Sequence, residues 1–332
     1  MTRPWPPGAA TGIGSLPGTD PEQAPRLVFD ELPHLPHLAE LPDRGAGAEL
    51  VGRGASLLVD LPVEIVASGW RLAAHPGRDL RRAQDSLARD LDALQARAEG
   101  YTGALKVQVA GPWTLAASLE LPSGHRLVSD QGATRDLRES LVDGIRRHVE
   151  DVGRRVPGSR LVVQLDEPSL PAVLAGRIPT PSGYGTVRAV RSEVAERTLR
   201  DVLAAVPHGG RVVHCCAPDV PIGLLRAAGA DALALDAALL DVSQTDAVGE
   251  ALDAGLSLWL GVVPANGADA GLEAARDAIR SLWRTLGFAD SALATSVVPT
   301  PTCGLAGASP AGARRALATL RDVGRWLVEA AG

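Results

Sequence analysis

The stretch Arg211–Pro221, RVVHCCAPDVP, sets His214, Cys215 and Cys216 side by side where an apolar run ends. The chain has three cysteines in all, and the third, Cys303, lies in TPTCGLAG. Successive side chains of a strand alternate faces, so His214 and Cys216 are expected to point one way and Cys215 the other. An imidazole and a thiolate on one face are metal-type donors. Cys303 offers a second sulfur, and Asp236, closing the run ADALALD, an oxygen. One nitrogen, two sulfurs and one oxygen suit tetrahedral zinc. An H-x-C pair is by itself a weak motif, because free cysteines are often small buried apolar residues. Cys215 is expected to be of that kind; for the other four the alternative is a hydrogen-bonded or core role without metal.

Such residues need a scaffold that brings strand ends together. Short apolar runs recur at 11–16, 35–41, 105–111, 161–167, 211–216, 230–236, 256–263 and 294–300. Helical patterns separate them. Leu80, Ala83, Leu87, Leu91 and Leu94 fall on one helical face. Ser309 reads as an N-cap with Pro310 at the first helical position, followed by a stripe of Ala313, Leu317, Leu320, Val323 and Leu327. Eight strand candidates alternating with helices predict an α/β fold of the closed (β/α)8 TIM-barrel type, a single domain over 11–332 preceded by a loose arm at 1–10. The second run is the weakest, since Pro36 and two histidines sit in or beside it. A doubly wound open sheet is the runner-up. Gly12, Gly14 and Gly18 are spaced wrongly for a dinucleotide fingerprint, and Pro17 and Pro21 obstruct a helix start, so that reading is rejected. Barrel enzymes work at the C-terminal ends of their strands. Those ends carry Ser15, Glu40, Asp166 with Glu167, His214 with Cys215 and Cys216, and Asp236, with Cys303 just beyond the last run.

Composition narrows the classes. Of 332 residues 45% are hydrophobic and only 3% aromatic, so a sizeable core must rest on Ala, Leu and Val. The net charge of −6 and the absence of a basic block exclude nucleic acid as an expected partner. No apolar run approaches the ~18 residues of a membrane span, and the N-terminus lacks a signal-peptide core. An odd cysteine count argues against a disulfide scaffold, so a cytoplasmic chain is expected.

The order IGSLP, QLDEPSL, HCC, ALALD, TPTCGLA, spanning Ile13 to about Leu305, resembles cobalamin-independent methionine synthase, specifically its C-terminal catalytic barrel. The resemblance implies a (β/α)8 barrel whose zinc binds homocysteine through sulfur. It places the metal ligands at His214, Cys216, Asp236 and Cys303. It assigns Ile13, Gly14 and Ser15 to substrate contact and Asp166 to the substrate's amino group. Three departures stand out. The family's carboxylate ligand is usually glutamate, one methylene longer than Asp236. The histidine that serves long members as proton donor should follow LWLGVV, where this chain reads Pro264-Ala265-Asn266. Long members also carry an additional N-terminal barrel that helps bind folate, and this chain is too short to hold one.

The chemistry implied is transfer of a methyl group to the homocysteine thiol, from 5-methyltetrahydrofolate or from a methyl carried by a corrinoid protein. A free thiol has a pKa of about 8.5 and reacts as thiolate, and a coordinated thiol is deprotonated outright. Backbone amides near Gly14 and Ser15 are expected to receive the substrate carboxylate, glycine permitting close approach. The alternatives are a porphyrinogen-decarboxylase-like enzyme of the same fold, a different thiol acceptor, or a non-catalytic relative with a closed structural zinc. Asp166-Glu167-Pro168 has a plainer reading as the cap of the next helix. Glu167 is expected to face solvent, and His34, His37, His75, His125, His148 and His208 to be surface or structural residues.

Overall fold

The computed structural model describes residues 3–268 and 271–332. A short antiparallel hairpin, β1 (Val63–Val66) with β2 (Gly69–Leu72), precedes the main sheet. That sheet is parallel and six-stranded: β3 (Ala104–Ala110), β4 (Arg160–Asp166), β5 (Arg211–Cys215), β6 (Ala232–Asp236), β7 (Ser257–Val263) and β8 (Val297–Pro301). Strand order follows chain order without reversal, whereas a doubly wound sheet reverses at a switch point. Helices connect the strands, as parallel neighbours require.

The two N-terminal runs do not form regular strands. Residues 11–16 and 35–41 instead lie between β8 and β3, joined by isolated parallel bridges, Ser15 to Glu40 and His37 to Lys106. Thr11 N–H donates to the Pro299 carbonyl at 3.3 Å, and Leu38 N–H to the Lys106 carbonyl at 2.9 Å. Pro36 removes a donor from the second run, which Pro33 and Pro42 flank, and Pro17 ends the first, so neither sustains a ladder.

Side-chain alternation sorts the sheet into two faces. Leu105, Val107, Leu165, Val213, Cys215, Leu235 and Leu260 belong to the large core. Their neighbours Ala104, Val162, Val212, Ala232, Trp259 and Val298 form a second, inner cluster. Residues from β3 and from β8 meet in that inner cluster, so the sheet curls. The expected loose arm is corrected where the structure describes it. Trp5 is buried in the inner cluster, edge-on to Trp259 with ring centroids 5.2 Å apart.

The anticipated helices form. Arg78–Arg97 buries Leu80, Ala83, Leu87, Leu91 and Leu94. Pro310–Ala331 buries its predicted stripe, and Ser309 accepts from Gly312 N–H at 3.0 Å.

Candidate metal centre

β5 ends where the chemistry was expected. His214 faces inward and Cys215 outward, fully buried in the large core. Ligand atoms of His214, Cys216 and Cys303 all lie within 4.8 Å of one another. His214 Nδ1 is 3.0 Å from the Ala234 carbonyl, which only accepts, so Nδ1 carries a proton and Nε2 is the nitrogen left for the sulfurs. Burial lowers the imidazole pKa, but the Cys303 hydrogen bond and the Asp166 charge outweigh it and raise it. The Cys216 and Cys303 sulfurs are 3.1 Å apart. Hydrogen bonding from Cys216 draws the Cys303 thiol down to about 4 against the effect of burial, with His214 assisting. Cys216 is pushed up by the same hydrogen bond and by burial.

This donor set fits zinc. A tetrahedral zinc with Zn–S near 2.3 Å holds two thiolates about 3.8 Å apart. From 3.1 Å the sulfurs need part by only about 0.7 Å. Asp236 lies outside the group; its Oδ1 accepts from Ala238 N–H at 2.9 Å, capping the turn Ala237–Leu239. Burial raises its pKa, and Cys303 adds to that. The structure thus assembles three of the four expected ligands and turns the fourth to a local cap.

Asp166 ends β4 in register with His214. It is buried, and Oδ1 accepts from Gln164 Nε2 at 2.7 Å. Burial pushes it up to about 7; Glu40 adds to that while His214 and Lys106 oppose it. Ile13 shares the Gln164 amide with Asp166, and Ile13, Gly14 and Ser15 are held by their carbonyls. Ile13 O accepts from Lys106 Nζ at 2.7 Å, Gly14 O from Glu40 N–H at 3.1 Å, and Ser15 O from Leu305 N–H at 2.8 Å. The amides of Gly14 and Ser15 have no acceptor among the described residues, which leaves both donors for a ligand. A Cβ on Gly14 would stand 2.9 Å from Gln108, and one on Gly304 only 2.0 Å from Ser15 Oγ. Glycine at both positions lets the segment Ile13–Ser15 pack between β3 and the Cys303 loop.

Glu167 corrects its expectation of solvent exposure. It is wholly buried and accepts from Trp113 N–H at 2.9 Å, Thr114 N–H at 2.8 Å and Thr114 Oγ1 at 2.8 Å. It therefore caps the helix Pro112–Ser118, which follows the neighbouring strand β3. The plainer reading of Asp166-Glu167-Pro168 as the cap of the next helix is corrected: that helix, Leu170–Leu174, starts at Ser169 without a side-chain cap, and Glu167 serves the helix after β3 instead. Sequence reasoning also missed Lys106, Gln108 and Gln164, buried polar residues on the inner face of the sheet, and gave Glu40, buried beside them, nothing beyond its place at a strand end. Their signal was present: Lys106, Gln108, Gln164 and Asp166 interrupt apolar runs at period two.

A curled parallel α/β sheet with imidazole, thiols and a buried carboxylate gathered at its strand ends defines a class of barrel-type enzymes working at that rim. Residues 8–325 match the family described as "Cobalamin-independent synthase, Catalytic domain", and the chain belongs to it. Among solved structures it is similar to a B12-independent methionine synthase from Shewanella sp. W3-18-1 in complex with selenomethionine. That match has a TM-score of 0.63 at 14% identity and covers 97% of this chain and 98% of that one. A methyltransferase from Methanosarcina mazei gives a TM-score of 0.54 at 16% identity, covering 96% and 93%. No curated protein gives a significant match. Membership supports a methyltransferase acting on small molecules, and among the described residues no helix is long and apolar enough to cross a membrane.

Proposed function

We propose that this chain is a zinc-dependent methyltransferase that converts homocysteine to methionine, built as one catalytic domain over 11–332. On this reading the two bridged N-terminal segments complete an eight-membered (β/α)8 ring. The observation that carries the function is the convergence of His214, Cys216 and Cys303 beside Asp166 and the unpaired amides of Gly14 and Ser15. A metal centre, an anion and two N–H donors match the thiol, ammonium and carboxylate of one small amino acid. This favours the methyltransferase over a decarboxylase, which has no use for the three metal-type side chains together.

His214, Cys216 and Cys303 would hold the zinc, with Asp236 as a fourth ligand once its side chain leaves Ala238. Bound there, zinc supplies the positive charge that keeps a substrate thiol deprotonated at neutral pH. Asp166 accepts from the substrate ammonium, and the Gly14 and Ser15 amides donate to its carboxylate. With three points fixed, the thiolate sulfur would attack the methyl carbon in line, the C–S bond forming as the bond from that carbon to its donor breaks. The donor leaves with the electron pair, a folate nitrogen then taking up a proton and a corrinoid departing in its reduced form, and positioning contributes much of the gain. Both 5-methyltetrahydrofolate and a corrinoid-bound methyl are chemically competent donors, and another small thiol is the alternative acceptor.

The test incubates zinc-loaded protein with homocysteine and each donor and measures methionine. Asp166→Asn should weaken homocysteine binding about tenfold to a hundredfold, the equivalent of a charge-assisted hydrogen bond of roughly 1.5–3 kcal/mol, with zinc content unchanged. No methionine from either donor, with no homocysteine binding by the wild type, would reject the function.

A further inference from the structure

Lys106 is the only lysine in the chain, and it is fully buried on the inner face of β3. Its ammonium has three N–H donors and no acceptor. They meet three oxygens: Ile13 O at 2.7 Å, Gln164 Oε1 at 2.9 Å and Gln108 Oε1 at 3.3 Å. A cation tolerates only the oxygen end of an amide, so it sets which way both glutamines face. Gln164 Nε2 is thereby turned to Asp166 Oδ1 at 2.7 Å and to Ile13 O at 2.9 Å. Gln108 Nε2 is turned by the same device to Leu38 O at 2.7 Å and Glu40 Oε1 at 3.0 Å. Every donor of the three side chains is used. Among the described residues, in contrast, none donates to Asp166 Oδ2, which is not sealed off from solvent.

We propose that Lys106 is a positioning residue, which locks the Gln164 amide so that it anchors one oxygen of Asp166 and leaves the other to accept the ammonium of an amino-acid substrate. The proposal rests on the homocysteine reading above and adds to it a residue that touches no substrate. Without the cation, the Gln164 amide is free to turn its oxygen toward Asp166, where two acceptors would repel and the carboxylate would swing. Burial draws the Lys106 amine down to about 7, and the Asp166 and Glu40 carboxylates oppose that loss of charge.

The experiment compares two thiols on zinc-loaded protein by calorimetry: homocysteine, and 4-mercaptobutanoate, which keeps thiol and carboxylate but lacks the amine. Lys106→Met and Gln164→Leu should each weaken homocysteine at least tenfold and leave 4-mercaptobutanoate within about twofold, with zinc content unchanged. The double variant should be no weaker than either single one, because both act on Asp166 through one amide. Should Lys106→Met fail to fold, Lys106→Gln takes its place in the same comparison. Equal weakening of both thiols, or undiminished homocysteine affinity, overturns the positioning role while the acceptor assignment stands. A wild type that binds neither thiol removes the acceptor assignment and the proposal together.

Discussion

His148 offers a quantitative test of how the helical layer is packed. It lies on the helix Gln131–Arg155, is 5% exposed, and shares a narrow space with Arg53, Leu57, Leu87 and Val109. Burial, with the Arg53 charge adding to it, lowers its pKa from 6.5 to about 4. Between those values the unfolded chain takes up a proton that the folded one refuses. This contribution to stability is therefore complete above pH 6.5 and is lost as the pH falls toward 4. At about 1.4 kcal/mol per pKa unit the loss is about 2 kcal/mol at pH 5 and approaches about 3 kcal/mol below pH 4. The perturbation is His148→Leu, which keeps an apolar filling and removes the titration. Urea unfolding of both zinc-loaded proteins from pH 7.5 to 4.5 gives two curves, and acid release of metal is common to both, so it cancels in their difference. That difference should be constant above about pH 7 and shift by about 2 kcal/mol in favour of the variant by pH 5. Curves that stay parallel throughout would show that folded His148 accepts its proton freely, refuting the burial argument.

Three further outcomes follow from contacts described above. Cys216→Ser and Cys303→Ser should lose zinc, whereas Cys215→Ser should retain about one ion per chain, because Cys215 faces the outer core with its thiol pushed up to about 12 by burial. Metal analysis of the three variants decides it, and equal loss from all would sink the alternation argument. Glu167→Ala strands two buried amides and a hydroxyl, so at about 1–3 kcal/mol for each unsatisfied group it should cost at least about 3 kcal/mol in urea unfolding. A cost below about 1 kcal/mol would show that water replaces the carboxylate. Gly14→Ala drives a methyl group against Gln108 and should cost about 1–3 kcal/mol while weakening homocysteine; unchanged affinity would remove the Gly14 segment from the site.

The sequence alone was enough for the alternation of apolar runs with helical stripes, because period two and period 3.6 are written into local residue order. It was enough, too, for the sides taken by His214 and Cys215, and for Ser309 as a cap, since each depends on a few adjacent residues. The family resemblance, read from five short motifs, agrees with the family match over 8–325. Other features depend on partners distant in the chain. Glu167 looked solvent-facing until β4 was placed beside β3, where the helix Pro112–Ser118 needs its carboxylate. Residues 11–16 and 35–41 looked like strands, but neighbouring prolines limited them to isolated bridges. Asp236 had the right position for a ligand, yet the nearest donor, Ala238 N–H, claimed its oxygen. Lys106 stands in its local sequence as an isolated charge within an apolar run. Only the curled sheet brings Ile13, Gln108 and Gln164 around its ammonium, because a buried charge is sustained by acceptors that tertiary structure alone delivers.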